Sequence, residues 1–94
     1  MGLTVRLLIG DVIKHTRKSK KITQNELAKR SDVSRTYLSD VENNRYNPSI
    51  QFLQKISLTL SEGIEDDRIE LYLKFLDALN YIDYEKLKAY FKSK

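Results

Sequence analysis

The chain has 94 residues, 40% of them apolar and 32% charged, a balance that suits one small globular domain and neither a disordered nor a membrane-spanning chain. It contains no cysteine and no tryptophan, which excludes a disulfide scaffold, a thiol nucleophile and a Cys-ligated zinc. Net charge is +4 and unevenly placed: residues 1–47 carry ten Lys or Arg against five acids, residues 48–94 seven against eight. A basic front half joined to a near-neutral rear half suits a polyanion-binding face with an assembly element behind it.

With three glycines and one proline, strand-and-turn punctuation is nearly absent and helical periodicity dominates, so an all-α fold is expected. The first helix is expected from Thr4 to Ser19, with Leu8, Ile9, Val12, Ile13 and Thr16 inward. Gly10 in its middle points to a close helix approach, since a glycine there otherwise costs about 1 kcal/mol against alanine. Thr23, followed at capping-box spacing by Glu26, opens a short second helix, Gln24 to Ser31, that buries Leu27 and Ala28. Asp32 and Val33 form a tight turn. Ser34 then caps a third helix to Asn43, with Leu38 and Val41 inward, and an irregular stretch follows from Asn44 to Pro48. Ser49 caps a fourth helix to Leu60 whose inner stripe reads Ile50, Leu53, Ile56 and Leu60.

The rear segment differs in kind. Glu65, Asp66 and Asp67 supply the acidic first turn a helix dipole favours. Ile69, Tyr72, Leu73, Leu76 and Leu79 make one apolar stripe, widened by Leu71, Phe75 and Ala78, and Asp83 is expected to cap a last helix bearing Tyr84, Leu87, Tyr90 and Phe91. Two such helices must pack on the first four or on another copy of the chain. The expected division is therefore residues 1–63 as one unit and 64–94 as a dimerisation segment. Leu73, Leu76, Leu79, Tyr84, Leu87, Tyr90 and Phe91 are its candidate interface.

Residues 23–49 carry the functional signal: a short capped helix, a tight turn and a second capped helix, which is the helix-turn-helix unit. In such a unit the first helix braces across the nucleic-acid backbone and the second enters the major groove by its N-terminal end. Since Leu38 and Val41 define the buried side, Arg35, Thr36, Ser39, Asp40 and Asn43 point away, with Tyr37 at the border. Arg35, Thr36, Ser39, Asp40 and Tyr37 are accordingly the candidate base readers. The guanidinium fork of Arg35 matches guanine O6 and N7, while Asp40 would accept from a cytosine amine or hold Arg35. Gln24 at the brace-helix N-terminus, Lys20, Lys21, Ser34, Arg45, Tyr46 and Asn47 are the candidate phosphate contacts. No enzyme is expected, because the sole histidine, His15, has no partner motif and no glycine loop exists to cradle a phosphate. No cofactor, metal or membrane association is expected either, and the expected location is the cytoplasm.

Gln24, Leu27-Ala28, Val33-Ser34, Tyr37-Leu38-Ser39, Val41-Glu42 and Pro48-Ser49 together resemble the phage-repressor-type (lambda, Cro, Xre) helix-turn-helix family over residues 7–60. The resemblance implies five compact helices, dimeric binding to an inverted-repeat operator in double-stranded DNA, and transcriptional control. It also implies an ion pair between Arg17, late in the first helix, and Glu42, ending the recognition helix. Where the family usually places glycine, this chain has Lys21, Asp32 and Asn44; Asp and Asn tolerate left-handed backbone, whereas Lys21 there costs about 1 kcal/mol. The run Asn47 to Ser57 resembles SinR-type regulators, in which a C-terminal helical hairpin dimerises and binds an antagonist protein; residues 66–92 are the expected hairpin. Arg35-Thr36-Tyr37 is similar to the controller proteins of restriction–modification systems. The function implied is a homodimeric transcriptional repressor. The alternatives are a controller that both activates and represses, or an antitoxin or antagonist-binding interaction protein.

Overall fold

A computed structural model describes residues 8–92, with the side chains of 8–79 and of Lys92. Five helices make up the described residues: α1 (Ile9–Ser19), α2 (Gln24–Ser31), α3 (Arg35–Glu42), α4 (Ile50–Leu60) and α5 (Glu65–Lys92). Three of them start on the hydroxyls expected. Thr23, Ser34 and Ser49 each accept from the backbone N–H three residues on, at 3.1 Å, a contact worth about 1 kcal/mol. The first helix is shorter than the pattern suggests. Leu8 is extended and exposed, so α1 begins at Ile9; positions 4–7 of the expected helix lie outside the described residues.

The core collects Ile9, Val12, Ile13, Leu27, Ala28, Leu38, Val41, Leu53, Ile56 and Leu60, all expected inward, and adds Ile22, Phe52, Phe75 and Leu79. Leu8 and Ile50, also expected inward, are exposed at 42% and 46%, while Phe52 is buried. At 100° per residue Ile50 lies about 120° round α4 from Ile56, and Phe52 only about 40°. Burial in the first turn of α4 therefore falls on Phe52, two positions beyond the expected Ile50.

After a short turn the chain runs into α5, one continuous helix of 28 residues with no break at Asp83. The expected two-helix hairpin is thus replaced by a single rod. Residues 65–92 hold neither glycine nor proline, and an aspartate inside a helix costs only about 0.7 kcal/mol, too little to stop it. Phe75 is fully buried and Leu79 nearly so, in the core shared with α1 and α4. Leu79 is therefore a core residue of its own chain rather than a free interface residue. Leu73 is 58% exposed and Leu76 half-buried. The side chains of Tyr84, Leu87, Tyr90 and Phe91 lie outside those described. No helix among the described residues is long and apolar enough to cross a membrane.

Helices α1 to α4 end alike. Lys21, Asp32, Asn44 and Glu62 have φ of 59°, 54°, 61° and 54°. Behind each, the next N–H reaches a carbonyl five residues back: Ile22 to Arg17, Val33 to Ala28, Arg45 to Asp40, Gly63 to Leu58. This is the Schellman termination, and its left-handed position ordinarily falls to glycine. At Asn44 the residue type has a use, because its Oδ1 accepts from the Gly10 N–H at 2.9 Å and its Nδ2 donates to Asp11 at 3.2 Å. Asn44 thereby caps α1, which has no side-chain cap of its own. Gly10 is needed at this contact, since a Cβ would overlap the Val41 carbonyl and the Asn44 side chain.

Lys21→Gly is expected to raise the unfolding free energy by about 1 kcal/mol, because it relieves left-handed strain and removes no side-chain bond. Asn44→Gly, with the same relief, is expected to lower it through loss of the α1 cap. Urea denaturation of both variants checks the pair; equal signs would overturn this account of Asn44.

Candidate nucleic-acid interface

A buried ion pair fixes the pose of α3. Arg17 grips Glu42 with both arms of its fork, Nε to Oε2 at 2.7 Å and Nη2 to Oε1 at 2.9 Å. Its remaining arm, Nη1, donates to the Ile22 carbonyl at 2.9 Å. The two side chains are 8% and 1% exposed, so this contact operates in a low dielectric, where a bidentate charged pair is strong and a lone charge costly. Gln24 completes the site by donating Nε2 to Glu42 Oε1 at 2.9 Å. The expected Arg17–Glu42 pair is present; that Gln24 joins it is not legible from spacing. The carboxylate at the end of α3 thus ties the end of α1 to the start of α2, and Arg17 carries the tie on to the turn at Ile22.

Held in this way, α3 turns Arg35 and Thr36 fully outward in its first turn, with Asn43 exposed at its far end. Ser39 and Asp40, half-buried, lie between them on the outward side. Tyr37 is placed differently. Its ring meets Phe52 edge-on at 4.9 Å between centroids, and its hydroxyl accepts from the Ser49 N–H at 3.2 Å. Tyr37 therefore braces α3 against the start of α4. Asp40 pairs with Arg45 at 2.9 Å, not with Arg35.

The expected phosphate contacts lie at or just beyond the ends of α1, α2 and α3. Ser34, Lys20, Lys21, Arg45, Tyr46 and Asn47 are all exposed, and Gln24 is half-buried at the α2 N-terminus. Lys20 also borders a shallow cleft with Asp67, Glu70, Leu71 and Lys74 of α5, so acidic side chains flank it on one side. Behind the face, Ser31 donates to Thr59 at 2.7 Å and locks α2 to α4. Among the described residues every buried polar side-chain atom has a partner.

Residues 13–66 match a family model described as helix-turn-helix. Over 58 residues the chain is 45% identical to the HTH-type transcriptional regulator SinR of Bacillus subtilis (strain 168), covering 61% of this chain and 52% of the relative. It is 40% identical over 67 residues to control protein C.BamHI of Bacillus amyloliquefaciens, covering 70% and 83% respectively. The crystal structure of SinR, master regulator for biofilm formation, in complex with DNA gives a TM-score of 0.56 at 47% identity, over 57% of this chain and 87% of that one. A SinR/SinI protein complex gives 0.56 at 30% identity, over 93% and 100%. The chain spans about half the length of the curated SinR and Bacillus phage phi105 proteins it matches, between 35% and 59%.

Glu42→Ala strands the Arg17 charge in the core and is expected to cost about 3–5 kcal/mol of unfolding free energy. Replacing both partners together, Arg17→Met with Glu42→Leu, is expected to recover most of that loss, read as the urea midpoint. A single variant within 1 kcal/mol of wild type would remove the pair from its organising role.

Proposed function

The chain belongs to the helix-turn-helix family, and on that footing we propose that it is a sequence-specific DNA-binding transcriptional regulator, a repressor that binds an inverted-repeat operator as a homodimer. The observation that carries this reading is the exposed first turn of α3, Arg35 and Thr36, standing on a rigid buried pair at the centre of a basic half-chain. Arg35 donates its fork to a guanine edge, and the Thr36 hydroxyl and methyl suit an adjacent base. Ser39 and Asp40 border the same groove. Lys20, Lys21, Gln24, Ser34, Arg45, Tyr46 and Asn47 take flanking phosphates and set the register. The likeness to SinR in complex with DNA supports the assignment of face.

Residues 64–94 form the dimerisation segment in this reading. Ile69, Leu73 and the half-buried Leu76 leave an apolar flank on α5, which a second copy covers. Twofold pairing then places two recognition helices on half-sites about 34 Å apart. A protein antagonist at the same helix is a second reading, favoured by the likeness to the SinR/SinI complex over 93% of this chain.

Selection of bound fragments from random duplex DNA tests the first reading. Arg35→Ala is expected to lose about 1–3 kcal/mol of discrimination at one base pair per half-site, and unchanged base preference would sink the assignment of α3. For the dimer, Leu73→Glu in the full chain is expected to lower both the mass by sedimentation and the operator affinity. A Leu73→Glu chain that stays dimeric would move the interface elsewhere.

A further inference from the structure

Asp40 and Arg45 stand five residues apart, a spacing that no helix brings face to face. They meet because α3 ends in the left-handed turn at Asn44. That turn folds the chain back, so the Arg45 N–H donates to the Asp40 carbonyl at 2.9 Å and the Arg45 side chain returns over the same residue, Nη1 to Oδ1 at 2.9 Å. The contact is closed twice, by backbone and by side chain. The Asp40 side chain is 20% exposed and that of Arg45 66%, so the acid is largely enclosed while most of the arginine stays open.

Asp40 also lies on the outward side of α3, one turn beyond Thr36 and one turn before Asn43. An acid facing a polyanion is repelled unless its charge is offset and its oxygens are used. Arg45 offsets the charge and engages Oδ1. Among the described residues Arg45 is the only partner of this carboxylate, which leaves Oδ2 as an open acceptor.

We propose that Asp40 reads the exocyclic amine of a cytosine in the major groove and that Arg45 is the positioning residue that aims it, an inference that rests on the DNA-binding reading above. A carboxylate only accepts hydrogen bonds. Cytosine presents the N4 donor with no acceptor beside it on the same base, whereas adenine sets N7 next to N6. Guanine offers only O6 and N7 on that edge, and thymine only O4 and a methyl group. The acid is therefore attracted by one base and opposed by the acceptors of the others. Arg45 keeps its remaining donors for a phosphate, so one side chain both sets the reader and anchors the register.

The test uses the full chain, selection from random duplex DNA, and affinities at several salt concentrations for wild type, Asp40→Ala, Asp40→Asn and Arg45→Ala. Wild type is expected to prefer cytosine at one base pair per half-site by roughly 10- to 100-fold. Asp40→Ala is expected to lose that preference alone, leaving the base pair read by Arg35 unchanged. Asp40→Asn is expected to shift it to adenine, whose N6 and N7 an amide matches. Arg45→Ala is expected to weaken the same cytosine preference while the salt slope falls by about 1. The inference is overturned by a cytosine preference that survives Asp40→Ala or Asp40→Asn. It is also overturned by an Arg45→Ala chain that loses salt slope while every base preference stands. A wild-type chain that selects no common sequence defeats the DNA-binding reading itself, a result distinct from a consensus that outlives Asp40.

Discussion

The bidentate contact between Arg17 and Glu42 is the constraint on which the rest of the molecule depends. Through its two members it joins α1, the turn to Ile22, the start of α2 and the end of α3: Arg17 donates to Glu42 and to the Ile22 carbonyl, and Glu42 accepts from Gln24. Apolar packing alone would leave an eight-residue helix such as α3 free to rotate by a few degrees, because dispersion is non-directional. A fork of hydrogen bonds to a buried carboxylate is directional, and it converts an approximate fit into one pose. Whatever α3 presents to a partner inherits its precision from this pair.

A second layer of control comes from how the helices end. Four successive terminations use the same left-handed turn, and none places glycine at the strained position. At Asn44 the gain is plain, since its amide caps α1 from the far side of the fold and lies against Gly10. The same turn brings Arg45 back over Asp40. Backbone strain at one residue therefore sets both the seat of α1 and the charge pattern on the outward side of α3. For Lys21 and Glu62 no side-chain bond explains the choice of residue.

The rear of the molecule works by different physics. The first half of α5 completes the core through Phe75 and Leu79, while its other flank keeps Ile69 and Leu73 in solvent. One helix thus bears two apolar surfaces, one packed into the core of its own chain and one left in solvent. An apolar arc this wide exceeds the needs of a helix that packs on one side only. Charge follows the same division, with the cations gathered on the front half and acids spread along the front of α5.

Much was legible in the order of residues. Three hydroxyl caps and the apolar positions of α1, α2 and α3 follow from short-range spacing, because caps and helix faces are decided within a few residues, while the pair Arg17 and Glu42 was implied by the family resemblance alone. Other features depended on distance through space. Ile50 and Phe52 exchanged roles because burial in α4 is set by where α2 and α5 lie against it, and α5 ran on past Asp83 because nothing in its sequence stops a helix. Tyr37 turned to Phe52, Gln24 to Glu42, Asn44 to Gly10 and Asp40 to Arg45. Local pattern determines which residues leave a helix on the same side. Only the packed chain decides which polar groups meet across it, since each such bond needs two backbone segments brought together by the core.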